Sequence, residues 1–218
     1  MVKYLIVFVA LSNLFGCVQG KEDRAFEVFN EGVILSLDAV KKDQNGQHDK
    51  AIALNRQAID KFKETLIIDS THFGARGALG HSYYLLGDFK EAINWFEKSN
   101  VIDDKSAGNS RELGLSRINL GQIEAGYKDL TKAFKLDKSE EIRSITADDL
   151  YDIGKLAFEY SAEYSKRGEA KKGANYQEFS LTVLKMAYDI DENRKDIAAT
   201  LVEFADKAGE KELADKYR

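Results

Sequence analysis

The chain has 218 residues, a formal net charge of −5, a single cysteine and no proline. The acidic balance argues against nucleic-acid binding, because proteins that bind phosphates carry an excess of basic side chains. Proline breaks helix interiors, so its absence favours an all-α chain, and no stretch alternates between apolar and polar residues as a strand would. With one cysteine, the chain cannot form an internal disulfide.

The chain begins with Lys3 and an apolar run over residues 4–11. This pattern is typical of a secretory signal peptide and is too short to span a bilayer. Leu14, Gly16 and Cys17 follow, and they resemble the lipobox of bacterial lipoproteins. The resemblance implies that residues 1–16 are removed and that Cys17 carries a lipid, which would anchor the protein to a membrane. The alternative is an ordinary signal peptide.

Cleavage before the cysteine would leave 31 basic and 37 acidic side chains, a formal charge of −6, so membrane attachment would depend on the lipid alone. The lipoprotein resemblance implies the outer membrane, because Val18 stands where an aspartate favours inner-membrane retention. Residues 17–23 are then predicted to be a lipidated tether, with the protein facing the periplasm. Lys21, Glu22 and Asp23 also resemble a tract that sends some lipoproteins to the cell surface, so surface exposure is the alternative.

Two regular repeats follow at residues 73–106 and 107–140, and they match each other at a spacing of 34 residues. The matched pairs include Gly74 with Gly108, Leu79 with Leu113, Gly80 with Gly114 and Gly87 with Gly121. Within each copy, apolar residues recur at helical spacing on both sides of a glycine, which predicts two helices joined by a turn. A single hairpin cannot cover its own apolar face, so the repeat predicts hairpins stacked on one another.

The first copy resembles the tetratricopeptide repeat. The residues that carry the resemblance are Leu79, Gly80, Tyr83, Gly87, Phe89, Ala92 and Phe96. The second copy keeps Leu113, Gly114 and Gly121 but departs from the family pattern at Arg117 and Gly126. The resemblance implies a right-handed solenoid of helical hairpins, and it implies binding to other proteins, which is what most members of this family do.

Longer hairpins are predicted on both sides of the regular repeats, at residues 24–72 and 146–191. The second of them is expected to begin with a helix at Thr146, after a polar link. A short capping hairpin is predicted at residues 193–218, where most side chains are charged. Residues 24–218 are therefore predicted to form one all-α solenoid of about five hairpins.

No pattern of catalytic residues stands out in the sequence. The three histidines are not paired at metal-ligand spacing, and there is no glycine-rich phosphate loop or nucleophile elbow. We therefore expect no enzymatic activity, no cofactor and no metal ion.

The concave face of the predicted solenoid carries four candidate binding residues, His81, Tyr84, Arg111 and Asn119, by their position in the repeat. Hydrogen bonds from these side chains, with one stacking surface, are predicted to bind an extended peptide. The alternative for Tyr84 is a place in the core. The family's carboxylate clamp is not matched, because Gly77 and His81 replace two of its residues.

A group of tyrosines, Tyr151, Tyr160, Tyr164 and Tyr176, lies in the second long hairpin. We expect them to pack between the helices, and a sugar-binding platform is the alternative. The favoured function is a non-enzymatic, lipid-anchored scaffold or adaptor that binds a protein or peptide partner in the bacterial envelope. Two alternatives stay open: a surface-exposed lipoprotein for an extracellular peptide or glycan, and a structural lipoprotein that associates with itself as a homodimer.

Overall fold

The computed structural model describes the backbone of residues 2–218 and the side chains of residues 20–218. Over that range the chain is helical and contains no strand, which confirms the all-α prediction. Its ten helices are α1 (Val2–Gln44), α2 (His48–Ile68), α3 (Ala75–Leu85), α4 (Phe89–Asn100), α5 (Ala107–Asn119), α6 (Ile123–Leu136), α7 (Glu140–Lys166), α8 (Ala170–Ile190), α9 (Lys195–Ala208) and α10 (Lys211–Tyr217). The side chain of Cys17, the predicted lipidation site, lies outside the described residues, as do those of the predicted leader.

Each odd-numbered helix is joined to the next helix by a tight turn that contains a left-handed glycine. These glycines are Gly46, Gly87, Gly121, Gly168 and Gly209, with φ between 71° and 80°. At the second turn, the N–H of Asp88 donates to the carbonyl of Tyr83 at 3.0 Å, and the N–H of Gly87 donates to that of Tyr84 at 2.9 Å. This bonding satisfies the last carbonyls of α3, and the left-handed residue that it needs is most easily a glycine.

The chain divides into two compact units, residues 1–116 and 117–218. In the first unit, α2, α3 and α4 contribute most of two apolar clusters. Their buried members are Ala58, Ile59, Phe62 and Leu79 in one cluster, and Ala92, Phe96 and Leu113 in the other. In the second unit, α8, α9 and α10 enclose a cluster of Leu181, Leu184, Leu201, Ala205 and Ala214.

The helices α1–α4 of the first unit correspond to α7–α10 of the second at a constant spacing of 122 residues. The helices α2 and α8 each contain 21 residues. The turn glycines Gly46 and Gly87 have Gly168 and Gly209 as their counterparts. The two units therefore contain the same sequence of elements, a long hairpin followed by a short one.

The same correspondence holds for one close contact inside each long hairpin. A Cβ atom added to Gly32 of α1 would lie 2.6 Å from the ring of Phe62 on α2. A Cβ atom added to Gly154 of α7 would lie 2.7 Å from Cγ of Leu184 on α8. These distances are too short for real contacts, so each glycine lets a large core side chain of the partner helix reach its backbone.

Residues 20–23 are part of α1, although the sequence analysis placed them in a tether. The helix continues through this stretch, which contains no proline and is followed directly by the apolar periodicity of α1. The predicted separation between the anchor segment and the first helix is therefore absent in the described part.

The prediction that α7 begins at Thr146 was wrong, since the helix begins at Glu140. Ser139 caps it, and the hydroxyl oxygen of Ser139 accepts from the N–H of Ile142 at 3.4 Å. Thr146 is fully buried and donates its hydroxyl to the carbonyl of Ile142 at 2.5 Å. The charged residues that were interpreted as a link form the exposed first turn, where acidic side chains suit the helix dipole.

Candidate functional site

The candidate residue His81 lies on α3 and forms an ion pair with Glu112 on α5. Its Nδ1 atom is 2.9 Å from both carboxylate oxygens of Glu112. The two helices approach closely beside this pair, because a Cβ on Gly77 would lie only 2.8 Å from Nδ2 of Asn109. Nδ2 of Asn109 donates to the hydroxyl of Ser99 at 3.2 Å. The pair therefore links α3 to α5 within the first unit.

The ion pair is partly open to solvent, since 40% of the His81 side chain and 15% of the Glu112 side chain are exposed. Burial by itself lowers the pKa of His81, but the hydrogen bond and charge of Glu112 outweigh it, so the pKa is raised above its ordinary value. Arg111 acts in the opposite direction, because its positive charge lowers the pKa of His81. Arg111, a second candidate residue, thus lies within electrostatic reach of the pair.

Tyr84 is half-buried, and its ring lies 6.0 Å from that of Phe89. It also packs against the apolar cluster of Ala92, Phe96 and Leu113. Most of this side chain therefore supports the core, which agrees with the alternative that the sequence left open. The residues at the matching places in the next repeat, Leu115 and Ile118, are fully buried and line no open surface.

The exposed apolar side chains of α1 are a feature that sequence reasoning did not identify as a candidate site. Phe26 is 60% exposed and Leu37 is 57% exposed. Gly32 against Phe62 and Gly80 against Phe96 are equivalent contacts, which aligns α1 with α3. In this alignment Phe26 and Leu37 match Gly74 and Leu85, and Leu85 is 40% exposed. We use the name inner face for this set of positions on α1, α3 and α5, namely Phe26, Leu37, His81, Leu85, Arg111 and Glu112.

The fourth candidate residue, Asn119, lies in the second unit at the end of α5. It lines a groove of about 300 Å³ between the α5–α6 turn and α8. The other lining residues are Leu120, Gly121, Asn175, Tyr176 and Phe179. We call this the tyrosine groove. The sequence analysis named Asn119 and Tyr176 separately but did not bring them together, because the two sides of the groove are more than fifty residues apart in the chain.

The tyrosines of the second unit do pack between α7 and α8, but only in part. The rings of Tyr164 and Tyr176 stack at 5.3 Å with an interplanar angle of 13°. Tyr160 is 42% exposed and Tyr176 is 36% exposed. Tyr151 differs, because its hydroxyl is 3.0 Å from that of Thr200 and it packs against the apolar cluster of this unit. The expected packing therefore leaves an aromatic surface open to solvent.

Among residues with described side chains, no three His, Cys, Asp or Glu residues gather where they could hold a metal ion. A search of the same part of the chain for a helix with the length and hydropathy of a membrane span finds none.

Residues 74–104 match the family model for the tetratricopeptide repeat, which confirms the resemblance for the first regular repeat. No curated protein matches the chain. The crystal structure of MamA is similar, with 22% identity, coverage of 82% of this chain and 89% of that one, and a TM-score of 0.47.

Two further solved structures are similar. A thermophilic TPR protein of Thermus thermophilus has 14% identity, covering 79% of this chain and 98% of that one, with a TM-score of 0.39. The APC/C hetero-tetramer Cut9–Hcn1 has 14% identity, covering 91% of this chain and 42% of that one, with a TM-score of 0.41. The chain is thus built of helical hairpins and carries a tetratricopeptide repeat at residues 74–104.

Proposed function

We propose that the protein is a non-enzymatic, lipid-anchored scaffold of the bacterial envelope, and that its inner face binds a segment of a partner protein. The tetratricopeptide repeat supports this proposal, because repeats of this family mostly mediate contacts between proteins. One observation about this chain carries it further: the inner face exposes three apolar side chains, whereas the equivalent positions of the second unit carry charged residues.

The correspondence between the units makes that observation specific. Phe26, Leu37 and Leu85 are 60%, 57% and 40% exposed. Their counterparts 122 residues later are Asp148, Glu159 and Lys207, and all three are charged. Because the second unit adopts the same hairpins with charged residues at these places, the fold does not require apolar ones. We therefore assign these three exposed apolar side chains, which folding does not need, to a binding surface.

The chemistry of the inner face defines the partner segment. Its apolar side chains would be covered by apolar side chains of the partner, which supplies most of the binding free energy. The ion pair of His81 and Glu112 and the nearby Arg111 offer directional contacts at the edge, which fix the orientation of the segment. A peptide with apolar residues next to polar or charged ones fits this description.

The location belongs to the same proposal. A lipid on Cys17 would place α1 and the inner face close to a membrane surface, on the periplasmic side of the outer membrane. Changing Cys17 to serine should release the protein into the soluble fraction, and mass spectrometry of the N-terminal peptide should show the lipid on the unchanged chain. A soluble Cys17→Ser protein supports the anchor, and an unmodified cysteine in protein from its own membrane contradicts it.

Binding is tested by giving the first unit the residues of the second. The double variant Leu37→Glu and Leu85→Lys changes exposed positions only, so we expect it to fold. After chemical cross-linking in intact cells, it should lose a discrete adduct at least tenfold. The matched control is Ile67→Lys, which changes a side chain of α2 that is 84% exposed and lies outside the inner face. Equal adducts from both variants would contradict the assignment of the face.

The alternatives are decided by two further measurements. Protease added to intact cells digests a surface-exposed protein and leaves a periplasmic one whole. Light scattering on the chain that begins at Val18 reports association with a second copy, and a strict monomer rules out a homodimer.

A further inference from the structure

We propose that the tyrosine groove of the second unit binds an uncharged oligosaccharide. This site is distinct from the inner face, and it would remain if the protein-binding proposal failed. The groove is lined by Asn119, Leu120, Gly121, Asn175, Tyr176 and Phe179 and encloses about 300 Å³, the lower end of the range for small-molecule sites.

The lining of the groove is neutral at physiological pH. None of its six residues carries a formal charge, in a chain in which 32% of residues are Asp, Glu, Lys or Arg. An ionic ligand placed there would give up hydration without meeting an opposite charge among the six lining residues. The groove therefore favours a ligand that is polar but uncharged.

The groove combines two kinds of surface, which together select sugars among neutral ligands. Tyr176 lines the groove and is 36% exposed, and its ring is flat and apolar, as is the face that the C–H groups of a pyranose ring form. Asn119 and Asn175 line the groove from two different elements, and the side-chain amide of each carries a donor and an acceptor. Hydroxyl groups at the edge of a stacked sugar ring can both donate and accept hydrogen bonds, so they match these amides.

The aromatic surface continues beyond the groove. The ring of Tyr160 lies 5.7 Å from that of Tyr176 at an angle of 59°, and 42% of Tyr160 is exposed. On its other side, Tyr176 stacks on Tyr164, over which the amino group of Lys172 lies 5.2 Å from the ring centre. Tyr176 is thus held in place, and a second sugar ring could extend over Tyr160. An oligosaccharide should bind more tightly than a monosaccharide.

The scaffold does not require these aromatic residues. The first unit has Asp38, Lys42 and Leu54 at the places of Tyr160, Tyr164 and Tyr176. The same hairpin therefore forms without a cluster of tyrosines, and the cluster is a property of the second unit alone.

The test is a titration of the whole mature chain with chitotetraose and, separately, cellotetraose, followed by calorimetry and by the side-chain amide signals of Asn119 and Asn175. We expect saturable binding of at least one sugar, with movement of these signals. Tyr176→Ala should weaken binding about fivefold to tenfold, and Tyr176→Phe, which keeps the ring, should stay within about twofold. The matched control, Tyr127→Ala, removes a tyrosine of α6 that is 52% exposed and outside the groove, and it should bind normally.

A second variant guards against a folding defect in Tyr176→Ala. Asn175→Ala changes an exposed residue of α8, so the fold should persist, and binding should weaken severalfold. Three results would overturn the proposal: no saturable binding of either sugar, binding that Tyr176→Ala and Asn175→Ala leave unchanged, or binding of a proline-rich peptide at these residues without binding of a sugar.

Discussion

The loop between α2 and α3 in the first unit and the equivalent loop between α8 and α9 in the second are held in different ways. In the first unit His72 packs between two rings, 4.5 Å from Phe29 and 5.6 Å from Phe73. Its counterpart, Arg194, instead forms ion pairs with Asp148 and Asp196. The backbone arrangement is thus compatible with an aromatic stack or with an ionic bridge.

This difference shows which features the fold demands. The turn glycines and the contacts of Gly32 with Phe62 and Gly154 with Leu184 occur at equivalent places in both units. The loop contacts, the inner face and the tyrosine groove do not. The shared features are therefore constraints of packing, and the differing surfaces are where we expect function.

The largest effect should come from removing the shared core contact. Phe62→Ala should lower the free energy of unfolding by about 3–5 kcal/mol, and Leu184→Ala by about 2–5 kcal/mol, because both side chains are fully buried. Urea denaturation, with hydrogen exchange to locate the loss, measures both. If only one of the two variants were destabilised, the two units would not share a packing plan.

Adding a methyl group at the shared glycines should have a smaller effect. Gly32→Ala and Gly154→Ala each place a Cβ within 3 Å of a core side chain, which costs about 1–3 kcal/mol and exceeds the gain of up to about 1 kcal/mol in helix propensity. The control is Gly108→Ala in α5, where the nearest atom is 4.0 Å away and we expect stabilisation. Thermal unfolding should show lower stability for Gly32→Ala and Gly154→Ala and higher stability for Gly108→Ala. Higher stability for all three variants would contradict the close packing.

The stability contributed by the ion pairs of Arg194 in the α8–α9 loop, called here the ionic loop, should depend on salt. The stability contributed by the stacked ring of His72 in the α2–α3 loop should not. Arg194→Ala should lower the free energy of unfolding by about 1 kcal/mol, and this loss should shrink in about 1 M salt, because the pair is screened. The effect of His72→Ala should be the same at low and high salt. Arg167→Ala is the control, since its pair with Glu163 is exposed and should contribute below about 0.5 kcal/mol. If the loss of stability in the Arg194→Ala variant were the same at low and high salt, this account would be contradicted.

The ionic loop also makes an acid-side prediction. The hydrogen bond from Arg194 lowers the pKa of Asp196 from 3.8 to about 2. The contribution of the pair to stability is therefore complete above about pH 3.8 and is lost as the pH falls towards 2. Acid unfolding of the Arg194→Ala variant should begin at a higher pH than that of the unchanged chain.

The smallest effect concerns the two histidines of the first unit, which should have opposite pH dependence. Glu112 holds the pKa of His81 above 6.5, so the stability that it contributes is present below that pH and is lost as the pH rises through the raised pKa. Burial lowers the pKa of His72, so its contribution is present above pH 6.5 and is lost as the pH falls through the lowered value. NMR titration of the two rings should show His81 titrating at a higher pH than His72. Coincident midpoints would contradict this prediction.

The local parts of the fold could be predicted from the sequence. The turns at Gly46, Gly87, Gly168 and Gly209 follow from residues that are neighbours in the chain, and so does the resemblance at residues 74–104. The start of α7 was missed because the serine at its cap was interpreted as part of a polar link. That signal was present, since Ser139 followed by two glutamates is a common way to begin a helix.

The site could be predicted only in part. His81 and Arg111 were identified by their place in the repeat, but the partner Glu112 lies 31 residues from His81 and depends on how consecutive hairpins stack. Glu112 lies three residues before Leu115, the counterpart of His81 in the second repeat, and a search for a carboxylate near that position could have identified it. The exposure of Phe26 was missed, because amphipathic spacing identifies an apolar stripe without showing whether a neighbouring helix covers it.

The central claim, that the first unit binds a partner protein and the second does not use the equivalent surface, is tested by one pair of photo-cross-linking positions. A photoreactive residue at position 85 faces outward from α3, and one at position 207 occupies the equivalent place on α9, where Lys207 is exposed. In intact cells, position 85 should give a discrete adduct with one protein, and position 207 should give none. The same adduct from both positions, or an adduct from position 207 alone, would contradict the account.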